Sequence, residues 1–90
     1  MYKTMNLKTI EEIPSTLGCT RLKVLAILNE KGLMKTAEVA AFCKISPAAA
    51  TGILDRMEGA GFIERGTDVN DRRVRFVFLT DYGRKLAAKL

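Results

Sequence analysis

Apolar positions recur with a helical period through the first two thirds of this chain. In the opening segment, MYKTMNLKTIEEI, Leu7, Ile10 and Ile13 fall three apart, the spacing of a short amphipathic helix that Pro14 would end. The run GCTRLKVLAILNEKG sets Leu22, Val24, Leu25, Ile27 and Leu28 on a broad apolar face. It predicts a helix near 19–31, opened at Gly18 or Thr20 and stopped by Gly32. In LMKTAEVAAFCKI, Thr36 reads as an N-cap, and Val39, Ala40 and Cys43 return on one face of a short helix near 37–43. A three-residue break, Lys44-Ile45-Ser46, follows. Ser46-Pro47 is a strong start signal, a capping hydroxyl followed by a residue whose missing amide is not needed in the first turn. The helix it opens runs to about Glu58 or Ala60 and is closed by Gly59 and Gly61. Its inward face is expected to be Ala50, Ile53 or Leu54, and Met57.

The period then changes to two. FIER predicts a short strand, GTDVNDR a turn-rich loop, and RVRFVFL a second strand rich in β-formers. Thr80, with Asp81 behind it, caps a last helix, DYGRKLAAKL, whose basic residues lie toward the end that the helix dipole favours. The order is helix, short helix, tight turn, helix, hairpin, helix. It predicts one domain over residues 1–90 in the α+β class, mostly α: a winged helix-turn-helix, in which a two-stranded wing hairpin follows the second helix of the motif.

Composition narrows the function more than the fold. Ninety residues make one small domain, 48% apolar and 28% charged, too apolar for intrinsic disorder. No apolar run reaches the length of a membrane span or resembles a signal peptide, so no membrane partner is expected and the cytoplasm is the expected compartment. Cys19 and Cys43 are too few for a disulfide scaffold, and read as free thiols in the core or as a redox pair. With no histidine in the chain, no metal site is recognisable and none of the usual catalytic sets can be assembled. The expectation is a non-enzyme without a cofactor.

The net charge of +5 is uneven: from Arg65 onward seven basic residues face three acidic ones. Three of them, Arg72, Arg73 and Arg75, stand within four positions at the mouth of the second strand. The helix opened by Ser46 has small residues, Ala48, Ala49, Thr51 and Gly52, on its first two turns. A narrow face of this kind can approach base edges in a major groove, where Thr51 could bond a base or touch a thymine methyl. Ser46, the free first-turn amides and Lys44 could hold a phosphate, and Arg56 could reach a phosphate or guanine or pair with Asp55. The competing readings are an alanine-rich packing helix and a charged edge that blocks strand aggregation.

The segment SPAAATGILDRMEGAGFIERGTDVNDRRVRFVFLTDYGRKL resembles the DNA-binding core of the MarR family of bacterial transcriptional regulators. The resemblance rests on Ser46, Thr51, DRME at 55–58, GFIER at 61–65, DRR at 71–73 and LTDYG at 79–83, in order and spacing over roughly 18–86. It implies a sequence-specific regulator of double-stranded DNA, with helix 46–58 in the major groove and the wing, 66–75, at the minor groove. Arg73 stands where the family places a minor-groove arginine, and Asp71 where an acidic partner braces it. Arg72 and Arg75 would be phosphate contacts or solubilising charges. Full family members add N- and C-terminal helices that build a dimer and enclose a ligand pocket. A chain of this length is expected to lack them, which puts a small-molecule effector in doubt. A homodimer on a palindromic site is still expected, with half-sites about one helical turn apart. The alternative is a winged-helix adaptor that binds protein and not DNA.

Strand residues alternate faces, and the resemblance implies that Val77 and Leu79 face the core, so that Val74, Phe76 and Phe78 face away from it. Two accounts of these outward apolar residues stay open. Either Leu7, Ile10 and Ile13, or the last helix, fold over them, or they form a self-association surface.

Overall fold

The computed structural model describes Ile10 and residues 20–90. Residues 20–90 form four helices and three strands: α1 (Thr20–Lys31), β1 (Leu33–Lys35), α2 (Thr36–Cys43), α3 (Pro47–Gly59), β2 (Ile63–Thr67), β3 (Arg75–Leu79) and α4 (Asp81–Ala87). This is the expected winged helix-turn-helix. Ile10 is helical and buried in the core. Leu7, Ile13, Pro14, Gly18 and Cys19 lie outside the described residues.

The core is built where the two periodicities meet. Val24, Ile27 and Leu28 of α1, Val39 and Cys43 of α2, Leu54 and Met57 of α3, and Ile63, Val77 and Leu79 of the sheet are all buried. At the position left open between Ile53 and Leu54, Leu54 takes the core and Ile53 is half-buried. The outer positions of α1 are set differently from expectation. Leu22 is 41% exposed whereas Lys23 is buried, with its ammonium 5.4 Å from the centroid of the Phe42 ring. Lys23 shares the stripe of Ile27, one turn on, so its aliphatic stem occupies a core-facing position.

The sheet is antiparallel with order β1-β3-β2. The hairpin is as expected, and a third strand joins it: Leu33, Met34 and Lys35 pair with Phe78, Val77 and Phe76. Only three residues long, this strand has too little alternation to be seen in isolation, and it exists because β3 offers an open edge. Pairing also changes the cap of α2. Lys35, not Thr36, is the N-cap, because the extended strand runs up to it, and Glu38 reaches back so that its Oε1 accepts the Lys35 amide at 2.8 Å. The second strand of the hairpin begins at Arg75 and not Arg73, because the Val74 amide is used inside the loop, bonding the Asp71 carbonyl at 3.0 Å.

Helices α2 and α3 meet at 110° across Lys44-Ile45-Ser46. No single helix among the described residues is long and apolar enough to cross a membrane. After α3 the chain turns at Gly61, whose φ of +84° lies in the left-handed region. The turn is then tied to the start of α4. The Thr80 hydroxyl donates to the Gly61 carbonyl at 2.5 Å, and the Thr80 amide donates to the Phe62 carbonyl at 3.0 Å. Thr80 Oγ1 also accepts the Gly83 amide at 3.0 Å, capping α4. Gly83 is buried against this junction, and a methyl there would be built into the Phe62 carbonyl.

Replacing a helical glycine by alanine ordinarily stabilises by about 1 kcal/mol. Gly83→Ala should instead destabilise by about 1–3 kcal/mol or more, because backbone has to move. Thermal or urea denaturation of the two proteins measures the sign.

Candidate nucleic-acid interface

Helix α3 presents a nearly bare surface. Ala48, Ala49 and Thr51 are exposed and Gly52 half-exposed on its first two turns, while Ala50, Leu54 and Met57 hold the opposite side in the core. Of the two readings of its alanines, close packing accounts for Ala50 alone. Beside this surface, the angle between α2 and α3 leaves an open apolar hollow of about 370 Å³, reached from Ala37, Ala41 and Thr51.

The start of α3 is less rich in free donors than its position suggests. Ser46 Oγ accepts the Ala49 amide at 3.1 Å, the Ser46 carbonyl accepts the Ala50 amide at 2.9 Å, and Pro47 has no amide. Among the first-turn amides, Ala48 is left to donate, together with the Ser46 hydroxyl proton. Lys44 precedes this point, exposed, in a left-handed conformation with φ of 56°. That conformation ends α2: the Lys44 and Ile45 amides bond the Ala41 and Ala40 carbonyls at 3.2 and 3.1 Å. Thr51 is also partly committed, its hydroxyl donating to the Pro47 carbonyl at 3.0 Å. It faces outward as a methyl and an oxygen acceptor, with no free donor.

The wing is an ordered loop. The Asp68 amide donates to the Val74 carbonyl at 2.9 Å and closes it, and Asp68 Oδ1 accepts the Asn70 amide at 2.7 Å. Asp71 and Arg73 come together as expected. Asp71 Oδ1 accepts the backbone amide and the Nε of Arg73 at 3.0 and 3.1 Å, and Oδ2 accepts its Nη2 at 3.3 Å. These bonds, the guanidinium's first and the amide's second, hold the Asp71 carboxyl below its ordinary range. The Arg73 side chain is nevertheless 91% exposed. Arg72 and Arg75 are exposed and make no ion pair among the described residues. Arg75 pairs across the strands with Thr67 and lies on the α3 side of the wing, by the same alternation that buries Val77.

Two residues escaped the sequence reading. Arg65, which the sequence marks only as charge and as the last residue of GFIER, joins the wing to α3. Its Nη2 bonds Asp55 Oδ1 at 2.5 Å and Glu58 Oε1 at 2.6 Å, and its Nε bonds Glu58 Oε1 at 3.2 Å. The spacing of Asp55 and Glu58, three apart on one helix, was a signal that a single cation could bridge them. Asp55 is thereby taken, and Arg56 stays exposed with no ion pair among the described residues. The other is Val69, 98% exposed at the wing tip; an isolated valine in a polar loop carries no periodic signal.

Cys43 is buried, and that burial raises its thiol pKa, with the Lys23 charge pulling weakly the other way. The thiol is therefore protonated and inert near neutral pH, which favours the core reading over a redox one for this cysteine. Among the described residues no group of side chains could hold a metal ion.

The MarR family model matches residues 18–74. YfiV of Bacillus subtilis, described as an uncharacterized HTH-type transcriptional regulator, is 38% identical over 66 residues, 73% of this chain and 41% of that protein. MdtR of the same organism, an HTH-type transcriptional repressor, is 40% identical over 63 residues, 70% of this chain and 41% of its own length. The crystal structure of the YusO protein from Bacillus subtilis superposes with a TM-score of 0.70 at 36% identity, covering 78% of this chain and 49% of that one. The chain spans about two fifths of the length of these two relatives.

Lys44 is the test of how backbone and charge divide at the helix junction. A non-glycine residue in the left-handed region costs about 1 kcal/mol. Lys44→Gly should raise stability by up to about 1 kcal/mol, seen as a higher urea midpoint, while removing the cation nearest the start of α3.

Proposed function

Because this chain belongs to the MarR family, we propose that it is a transcriptional regulator that binds double-stranded DNA in a sequence-specific way, with α3 in the major groove and the wing, 66–75, at the minor groove. The observation that carries this reading is the wing arginine. A fully mobile arginine would lose much conformational freedom on binding. Arg73 is held by Asp71 through the three bonds given above and is still 91% exposed, so it is aimed outward with part of that loss already met. A guanidinium suits a narrow minor groove, where the potential is most negative.

The other residues take roles that follow from their surroundings. Ala48, Ala49 and Gly52 let α3 approach base edges closely. Thr51, with its proton committed to Pro47, offers an acceptor to an adenine or cytosine amino group, or its methyl to thymine. Lys44, the Ser46 hydroxyl and the Ala48 amide hold a phosphate at the helix start. Arg56 reaches the backbone from the third turn. Arg72 and Arg75 add phosphate contacts, Arg75 from the α3 side of the wing. With few long polar side chains on α3, direct readout is modest and the wing's reading of groove shape carries much of the specificity. One such domain binds weakly, so two act on a palindromic site.

Arg73→Ala should weaken DNA binding by about 1–3 kcal/mol at unchanged thermal stability. Equal affinity of the two proteins would remove the wing from the interface. Thr51→Val should shift the preferred base at one position and leave the salt dependence alone, a log–log slope of about −4 for ~4 phosphates. Selection of bound sequences from a random duplex pool, run on both variants and the parent, reads affinity, base preference and palindromy together.

A further inference from the structure

The sheet has a second face that the DNA reading does not use. Its register puts Leu33, Phe78 and Glu64 side by side in one row, and Lys35, Phe76 and Gly66 in the next. Arg65 on the other face bonds α3, so this face is turned away from α3. Phe76 and Phe78 are half-buried and Leu33 is 54% exposed. Among the described residues, the cover expected from within the chain is placed mostly elsewhere. Ile10 is packed into the main core on the opposite side of the sheet, and of the last helix only Tyr82 and its neighbours edge the hollow beside Phe78. Leu7 and Ile13 lie outside the described residues.

The charges on this face are arranged diagonally. Lys35 and Glu64 occupy opposite corners of the six-residue grid, both exposed and without an ion pair among the described residues. Neighbouring strands are about 4.8 Å apart and alternate residues about 7 Å apart along a strand. A two-fold axis lying in the interface, perpendicular to that diagonal, therefore places Lys35 of each copy on Glu64 of the other. The same operation carries Phe76 of one copy toward Gly66 of the other, where nothing lies within 4 Å of a Cβ position. It carries Phe78 onto Leu33 and the aliphatic stem of Lys35. The strands of the two sheets then cross steeply, which is one of the two stable ways sheets pack face to face.

We propose that this outer sheet face binds a second copy of the chain, pairing Lys35 with Glu64 twice around a core of Phe76, Phe78 and Leu33. Such a contact is isologous, as two-fold dimers require. It leaves α3 and the wing tip uncovered, and it stands independently of whether the domain binds DNA. Val74, one residue before β3, falls outside the grid and takes no part.

Sedimentation equilibrium of the full chain tests this. The expected result is a reversible dimer. Lys35→Glu and Glu64→Lys should each weaken it at least about tenfold, because each sets like charges against each other. The double swap should restore the dimer, a rescue that damage to folding cannot mimic. A chain that is monomeric at every concentration overturns the proposal, as does a dimer indifferent to the single swaps or a double variant that stays dissociated. Duplex binding measured on the same proteins keeps the two proposals apart: a monomer that binds DNA overturns only this one.

Discussion

The period-two alternation of β3 is the constraint on which the rest of the domain depends. Five residues serve three purposes at once. Val77 and Leu79 wall off the core that all four helices share, and burying side chains of this kind is worth about 1.5–3 kcal/mol each. The edges accept β1 on one side and β2 on the other, so the backbone groups of the strand are paired. The face left over carries Phe76 and Phe78. A slip of one residue would exchange these faces, putting Arg75's neighbours in the core and Val77 in water. The register cannot drift, and the loop at one end and the Thr80 cap at the other inherit that precision.

Electrostatics does a second, local job. The core packs α3 against the sheet, and ion pairs add a restraint at the base of the wing. Arg65 supplies that restraint through Asp55 and Glu58, with its own side chain 24% exposed and its partners 57% and 44%. Exposed pairs of this sort add little stability. Two carboxylates converging on one planar guanidinium still limit the positions the wing can take. In the proposed DNA complex, α3 and the wing would have to match the duplex in two places at once, and a link between them serves that need. The Asp71–Arg73 pair repeats the device at the tip.

Lys44 shows a different compromise. A tight helix-turn-helix needs a left-handed residue to end α2, and glycine would take that conformation without strain. The chain has lysine there with φ of 56°. A residue held against its backbone preference beside the start of α3 is consistent with a charge wanted at that place more than a relaxed turn.

The sequence alone determined the order of the four helices and the hairpin, the Ser46-Pro47 start of α3 and the Thr80 cap. These depend on near neighbours and on periodicity, which a chain carries whatever its tertiary structure. It also brought out Asp71 and Arg73, through the resemblance of DRR at 71–73 to the family's wing. Tertiary structure decided what depends on distant partners. It made a strand of Leu33–Lys35, which has no strand signal until β3 lies beside it, and in doing so moved the α2 cap from Thr36 to Lys35. It turned Lys23 inward and Leu22 outward, since the burial of α1 is set by what packs around it. It joined Arg65 to carboxylates seven and ten residues away. It also set Lys35 diagonally across the sheet from Glu64, an arrangement that exists only in the register of three strands.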